Sequence, residues 1–169
     1  LAKVKPSPAL VLLSSDQKDR ARYSTQEMIS AEIEMAKAAA ALAARNKRDS
    51  GVKPPLSLST EQQHAFFHVM GSGDLACISG VAGAGKTTTL KAIAAALAEE
   101  GYRVRGAALA GIAAKKLGDE AEIPANTIAG MFYGWDRRDD GGVPKPVDPL
   151  QRGDALVVDE AGMVASRDM

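Results

Sequence analysis

Residues 80–88 combine a glycine-rich loop with a lysine and threonines, the residue types that bind a nucleoside triphosphate. The segment reads Gly-Val-Ala-Gly-Ala-Gly-Lys-Thr-Thr and contains the complete P-loop pattern G-x-x-x-x-G-K-[ST]. Glycine lets backbone N–H groups approach phosphate closely, and the N-terminus of the helix that follows attracts negative charge. We predict that ATP phosphates are bound by Gly80, Gly83, Ala84, Gly85, Lys86, Thr87 and Thr88. Lys86 would supply charge to the β and γ phosphates, and the Thr87 hydroxyl would be a ligand of Mg²⁺.

A second candidate element of the same site lies well downstream, where an apolar run ends in two carboxylates. Residues 155–158 predict a buried strand, and Asp159 and Glu160 follow it directly. A carboxylate in this place would hold Mg²⁺, directly or through water, and its neighbour would orient or deprotonate the attacking water. The predicted catalytic residues are therefore Lys86, Asp159 and Glu160, with Thr87 and Asp159 as the metal ligands.

The segments on either side of the glycine-rich loop favour a strand, a loop and a helix, in that order. Residues 75–78 are apolar and predict a buried strand, in which Cys77 would be a small core residue. Apolar residues then recur at helical spacing up to Leu97, and Gly101 is placed to end the helix. This is the structural context that a P-loop requires.

The rest of the chain predicts further alternation of strands and helices. We expect a helix capped by Ser59 or Thr60 and ending near Met70, a strand over residues 103–109, and helices over residues 112–117 and 127–133. A charged loop rich in glycine and proline follows at residues 136–149. This order predicts an α/β fold in which helices flank a parallel sheet.

The sequence predicts two regions of different character. Ser24 and Glu27 form a capping-box pattern, which predicts a helix reaching about Asn46. Residues 47–55 resemble a polar linker. We therefore expect a helical appendage with its linker at residues 1–50 and a P-loop ATPase at residues 51–169, the latter cut short just after the acidic motif. Residues 1–22 have no clear assignment.

Composition restricts the function classes. The 169 residues contain 21 basic and 21 acidic side chains, which excludes a strongly basic nucleic-acid surface over the whole chain, so a DNA contact must be local. A single cysteine excludes a disulfide framework and fits a reducing cytoplasm. No apolar run approaches the roughly 18 residues of a transmembrane helix.

Several other residues have both a functional and a structural interpretation. The amide of Gln62 can donate and accept at once, which suits the edge of adenine. Lys115 and Lys116 follow a run of small residues, so they would either meet DNA phosphate or lie on a solvated helix face. The aromatic residues Phe132, Tyr133 and Trp135 would stack on bases or belong to the core. His64 and His68 are four residues apart but lack a third metal ligand.

The order of motifs resembles that of superfamily 1 helicases of the RecD type, and within them the helicase part of conjugative transfer relaxases of the TraA type. The resemblance covers roughly residues 56–169 and rests on LSTEQQHAF, GVAGAGKTTTL, AALAGIAAKKL, NTIAGMFYGW and ALVVDEAGMVASRDM. The stretch RYSTQEMISAEIEMAKAA is similar to the helical segment that precedes the helicase in such proteins. A Pro-Thr-Gly triplet that is usual in the wider group is Leu109-Ala110-Gly111 here, which removes a threonine from the expected DNA contact.

The resemblance implies a RecA-like P-loop domain that translocates on single-stranded plasmid DNA, 5′ to 3′, during conjugation. It implies that Gln62 reads adenine and that Ala110, Gly111 and Thr127 lie near the DNA. It also implies an upstream nicking domain and a downstream second motor domain, so that this portion alone would bind ATP with little turnover. Two other functions remain open from the residues: a small P-loop kinase, and a nucleotide-binding interaction module without turnover.

Overall fold

The structure is a computed structural model that describes residues 10–15, 21–45, 50–81, 83–136 and 148–164. The chain divides into two compact units, of which the second comprises Ala43–Val164. The predicted boundary in the linker at residues 47–55 stays a prediction, and the expected loop falls largely outside the described residues, since 137–147 are not among them.

The first unit contains a hairpin and a helix. Strands β1 (Leu10–Ser15) and β2 (Ala21–Thr25) pair antiparallel, with Leu12 opposite Tyr23, and helix α1 (Gln26–Ala43) follows. The predicted helix cap was wrong by one residue, because Ser24 pairs with Val11 inside β2. The Thr25 hydroxyl instead accepts a hydrogen bond from the Met28 N–H at 3.1 Å, which satisfies one of the free donors of the first helical turn.

The second unit alternates helices and strands, as predicted. Its elements are α2 (Thr60–Met70), α3 (Lys86–Glu99), β3 (Arg103–Ala108), α4 (Gly111–Ala121), β4 (Ala125–Thr127), α5 (Ile128–Asp136), β5 (Asp154–Val158) and a short 3₁₀ helix (Ala161–Met163). The three strands form a parallel sheet in the order β4-β3-β5. The predicted α/β P-loop NTPase fold, a parallel sheet with flanking helices, is confirmed.

Helices cover both faces of this sheet. Since side chains alternate along a strand, Val104 and Gly106 of β3 face one side and Ala107 faces the other. Val104 belongs to the larger core, which is built from α2, α3 and α4, and Ala107 packs with Met131 of α5 in a second cluster. A Cβ on Gly106 would lie 2.8 Å from the Ala125 Cβ and 2.9 Å from the Leu117 Cδ2. Glycine therefore allows the close packing of α4 on the sheet.

The strand predicted at residues 75–78 is absent. These residues are not paired with the described sheet, and Cys77, predicted to be buried, is exposed. Apolar character alone does not form a strand, because a strand needs a neighbour for its backbone groups. Only the packing of Ile78 against the core is retained. Among the described helices, none is long and apolar enough to cross a bilayer.

Candidate nucleotide site and adjoining cleft

The fold brings the two predicted halves of the site to one edge of the sheet. Helix α3 has 14 residues and β3 has 6, which gives both a length of roughly 20 Å. They are joined by a tight turn in which the Tyr102 N–H donates to the Leu97 carbonyl, so α3 returns antiparallel to β3. The N-terminus of α3, with Lys86 and Thr87, therefore lies level with the carboxyl end of β3. Strand β5 is parallel to β3, so Asp159 follows it at that same edge.

The glycine-rich loop has the geometry that an anion site needs. Gly83 and Gly85 have φ angles of +80° and +71°, in the left-handed region that other residues rarely adopt. No side chain caps the N-terminus of α3, so the N–H groups of its first turn remain available to a phosphate. The Lys86 Nζ donates to the carbonyls of Gly80 at 2.8 Å and Val81 at 3.0 Å, which holds the ammonium over the loop.

Gly85 is also where Gln62 meets the loop. The carbonyl of Gly85 accepts three hydrogen bonds: from the Thr89 N–H at 3.1 Å, the Thr89 hydroxyl at 3.2 Å and the Gln62 Nε2 at 3.3 Å. A side chain on Gly85 would overlap the Gln62 amide nitrogen. Gln62, predicted from sequence to contact adenine, therefore lies directly against the glycine-rich loop.

The acidic pair lies where predicted, with an unexpected backbone conformation. The Asp159 N–H donates to the Ala107 carbonyl at 3.0 Å, which continues the pairing of β5 with β3. Glu160 then has φ +52° and ψ +36°, a left-handed conformation that is uncommon for a residue with a side chain and clusters at functional sites. Its N–H donates to the Asp159 Oδ1 at 2.9 Å, and its side chain is exposed.

These residues fit ATP and Mg²⁺ by their chemistry. The glycine backbone, Lys86, Thr87 and Thr88 would hold the phosphates. The Thr87 hydroxyl and the Asp159 carboxylate are oxygen donors, which Mg²⁺ prefers. Among the described residues, no hydrogen bond or ion pair joins the loop to Asp159 or Glu160, so the structure places the two halves at one edge without a direct bond between them.

A cleft of about 540 Å³ opens between α4 and β4 at the side of the sheet. We call it the α4–β4 cleft. Its lining residues are Gly111, Ala114, Lys115, Gly118, Asp119, Ile123, Ala125, Asn126 and Thr127. Three residues that the sequence associated with DNA, Gly111, Lys115 and Thr127, thus line a single cleft. Asp119, which stands four residues after Lys115 on α4, also lines this cleft and was not predicted from the sequence.

The two neighbouring lysines have different environments. Lys115 lines the α4–β4 cleft. The Lys116 Nζ lies 3.9 Å from the Glu120 Oε1 in an exposed pair along α4. Ala110 is the N-cap of the same helix, and Ile112 beside it is 88% exposed. The structure therefore gives different environments to two neighbouring lysines that the sequence alone does not distinguish.

The aromatic and histidine residues have mixed roles. Phe132 and Trp135 make an edge-to-face contact with ring centroids 5.4 Å apart, and Trp135 packs on the Met131 cluster. Phe132 and Tyr133 both retain exposed surface. His64 and His68 are exposed residues of α2, and within the described part of the chain no group of three or more His, Cys, Asp or Glu side chains could hold a metal.

The opposite edge of the sheet carries an ion network that fixes β3 to β5. Asp154 accepts two hydrogen bonds from Arg103, through Nε and Nη2, each at 2.8 Å, and one from the Gln151 N–H at 2.9 Å. The hydrogen bonds from Arg103, and next the one from Gln151, hold the pKa of Asp154 well below its ordinary value, against the opposing effect of burial. This network lies at the other end of the strands from the glycine-rich loop.

The chain is similar to a known family and to several known proteins. The family described as AAA domain matches residues 57–169. The chain is 41% identical over 165 residues to the conjugal transfer protein TraA of Rhizobium radiobacter, a match that covers 92% of this chain and 14% of the relative. It is 39% identical over 158 residues to a probable conjugal transfer protein TraA of Sinorhizobium fredii, with 88% and 13% covered. A third TraA, of Agrobacterium fabrum, is 38% identical over 165 residues.

The chain thus spans about 14% of the length of these curated relatives. The predicted resemblance to conjugal transfer proteins of the TraA type is confirmed over the aligned residues. Since the family match takes in the phosphate loop, Gln62 and the acidic pair together, the chain belongs to the AAA domain family.

Proposed function

We propose that this chain is the ATP-binding motor portion of a DNA helicase that unwinds plasmid DNA during conjugative transfer. It would work 5′ to 3′, as RecD-type helicases do. The observation that carries the proposal is the common edge at which Lys86 and Thr87, at the start of α3, lie level with Asp159 and Glu160, after β5. The names of the relatives, conjugal transfer proteins, support the biological setting.

ATP is the proposed ligand, with Mg²⁺ as its counter-ion. The uncapped start of α3 and the ammonium of Lys86 suit phosphate, and the Gln62 amide suits a base with both donor and acceptor groups. When bound, Mg²⁺ would neutralise phosphate charge during hydrolysis. Glu160 would orient or deprotonate the attacking water, for which its exposed carboxylate is accessible.

Single-stranded DNA is the proposed partner of the α4–β4 cleft. Small residues such as Gly111 let a backbone lie close to the chain, while Lys115 and Asn126 offer a charge and hydrogen-bond donors to phosphate and sugar. The exposed side chains of Leu109 and Ile112 stand at the start of α4 and could contact bases. We further propose that an upstream nicking domain and a second motor domain, carried by the same longer polypeptide, complete the enzyme.

Nucleotide binding is tested by titrating the chain with Mg-ATP by calorimetry, for the wild type and Lys86→Ala. Because Lys86 supplies the charge at the loop, we expect its loss to weaken binding at least tenfold, a difference of about 1.4 kcal/mol or more. The matched control is Lys91→Ala, which removes a lysine from the same helix, where it pairs with Glu122. Equal weakening in both variants would contradict the assigned role. Brisk DNA-independent phosphate transfer to a small molecule would favour a kinase instead.

DNA binding is tested by fluorescence anisotropy with a labelled single strand at several salt concentrations. Lys115→Ala should weaken binding about fivefold and lower the salt slope by roughly 0.7, the contribution of one phosphate contact to a single strand. The control Lys116→Ala should change affinity less than about twofold, since Lys116 is paired on the exposed helix surface. Equal effects of the two substitutions would exclude the α4–β4 cleft as the DNA-binding site. The direction of unwinding is tested separately, by measuring how fast the longer polypeptide unwinds duplexes that carry a single-stranded 5′ or 3′ tail.

A further inference from the structure

The carboxamide of Gln62 is held at both ends by backbone groups. The Ser59 N–H donates to the Gln62 Oε1 at 2.9 Å, and the Gln62 Nε2 donates to the Gly85 carbonyl at 3.3 Å. The Gln62 N–H also donates to the Ser59 hydroxyl at 3.3 Å, which completes a capping box at the start of α2. Gln62 is thus both the N3 residue of that box and a contact of the phosphate loop.

These two partners fix which end of the amide points in which direction. A backbone N–H can only donate and a carbonyl can only accept. If the carboxamide turned over, its NH₂ group would meet the Ser59 N–H, and its oxygen would meet the Gly85 carbonyl. Two hydrogen bonds would be replaced by two repulsive contacts, so the amide has a single stable orientation.

We propose that Ser59 is a positioning residue for base selection, because its backbone N–H locks the Gln62 carboxamide in the orientation that accepts from a 6-amino purine. The inference rests on the proposed function, in which Gln62 contacts the base of ATP. The Oε1 retains a second lone pair and the Nε2 a second hydrogen, so the amide can bind a base while both locking bonds persist. A 6-oxo purine such as guanine requires a donor where the locked amide offers an acceptor.

The hydrogen bond from the Ser59 N–H predicts selectivity for adenine over guanine, which the Ser59 hydroxyl does not provide. An amide free to turn could present its NH₂ group to guanine, and the site would then tolerate both bases. A site built to hydrogen-bond one group rejects a ligand that leaves its polar groups unpaired. The backbone N–H of Ser59, rather than its side chain, therefore contributes to the selectivity, together with the Gly85 carbonyl that accepts from the Nε2.

The experiment compares Ser59→Pro with Ser59→Ala. Ser59 has a φ of −62°, which proline adopts readily, so the first change removes the N–H without forcing the backbone at this residue. Both variants lose the side-chain cap, and only Ser59→Ala keeps the N–H. The dissociation constants of Mg-ATP and Mg-GTP are measured for the wild type and each variant of the full chain, with circular dichroism to compare folding.

We expect the wild type to bind ATP at least about tenfold more tightly than GTP, because GTP would replace one hydrogen bond to the Gln62 amide with a repulsive contact. Ser59→Ala should keep this ratio within about twofold, and Ser59→Pro should lower the ratio about threefold, since only the Gly85 carbonyl then favours the native orientation of the amide. If Ser59→Pro fails to fold, an ester in place of the Leu58–Ser59 amide removes the same N–H and keeps the side chain.

Unchanged selectivity in a folded proline or ester variant that still binds ATP overturns the inference and leaves the proposed function intact. A wild type that binds neither nucleotide overturns both. A wild type that binds ATP and GTP equally overturns base selection by Gln62, and with it the role of Ser59.

Discussion

Replacing Asp154 by asparagine tests how far the ion network at the amino edge of the sheet stabilises the second unit. The Asp154 side chain is only 5% exposed and accepts from Arg103, from Gln151 and, at 3.4 Å, from the Arg105 Nη1. Arg105 is itself 10% exposed. An asparagine keeps the shape but turns an NH₂ group or a neutral oxygen toward two guanidinium groups.

The expected loss is about 2 kcal/mol of unfolding free energy. Removing one partner of a buried ion pair costs about 3–5 kcal/mol, but Arg103 is half exposed, and solvent screens its share. The Arg105 guanidinium also keeps its hydrogen bond to the Asp148 carbonyl at 2.7 Å. For a chain of this length, 2 kcal/mol corresponds to a melting temperature lower by about 4–8 °C.

The pH dependence has a defined sign. Because the folded pKa of Asp154 lies below its ordinary value of 3.8, its stabilisation is complete above that value and is lost as the pH falls through the folded pKa. The advantage of the wild type over Asp154→Asn should be constant between about pH 5 and 8 and shrink as the pH falls below about 4.

The assay is urea unfolding followed by the fluorescence of Trp135, the single tryptophan, which belongs to this unit and donates from Nε1 to the Asp148 carbonyl. Asp148→Asn is the matched control. Its carboxylate lies 3.9 Å from the same Arg103 but is 65% exposed, so its loss should cost less than about 0.5 kcal/mol. Equal losses in the two variants, or a wild-type advantage that persists unchanged to pH 3, would refute the reasoning.

Two further predictions concern packing and backbone strain. Phe66→Ala should lower the free energy of unfolding by about 3–5 kcal/mol, because Phe66 is fully buried. Phe67→Ala, at a neighbour that is 50% exposed, should lower it by less than about 1.5 kcal/mol. Urea unfolding measures both variants, and similar losses would contradict the assignment of Phe66 to the core. Glu122→Gly should raise the free energy of unfolding by about 0.5 kcal/mol, since relief of the left-handed conformation at φ +57° is worth about 1 kcal/mol and loss of the exposed pair with Lys91 costs about 0.5 kcal/mol. Glu122→Gln, which loses only the pair, should be slightly less stable than the wild type, and a destabilised glycine variant would argue against strain.

The parts of the fold that could be predicted from sequence are those that short-range pattern determines. The phosphate loop, the cap at Ser59, the helix end at Gly101 and the strand before Asp159 each depend on a few adjacent residues. Gly101 indeed has a φ of +88° just after α3. Such signals carry their own physical reason, because glycine tolerates the left-handed conformation and serine accepts from free N–H groups.

What the sequence could not predict depends on partners far along the chain. Residues 75–78 have strand composition but no paired neighbour in the described sheet. The hairpin at β1 and β2 displaced the cap from Ser24 to Thr25, because pairing with Val11 keeps Ser24 extended. The bond between Gln62 and Gly85 spans 23 positions, so the spacing of residues could suggest adenine contact but not the link to the loop.

In each half of the candidate site, a charged side chain is already hydrogen-bonded within the chain. The Lys86 ammonium is bound to two loop carbonyls, and an oxygen of Asp159 accepts from the Glu160 N–H. A phosphate that takes Lys86 must exchange those hydrogen bonds, and any change of Glu160 out of its left-handed conformation releases strain on the order of 1–3 kcal/mol. The affinity for a nucleotide would therefore reflect the free energy of the hydrogen bonds that form minus that of the hydrogen bonds within the chain that break. Because the Gly85 carbonyl also bonds to Gln62, a rearranged loop would disturb the amide at the proposed base contact, and under the proposed function base and phosphate recognition would be coupled through this carbonyl.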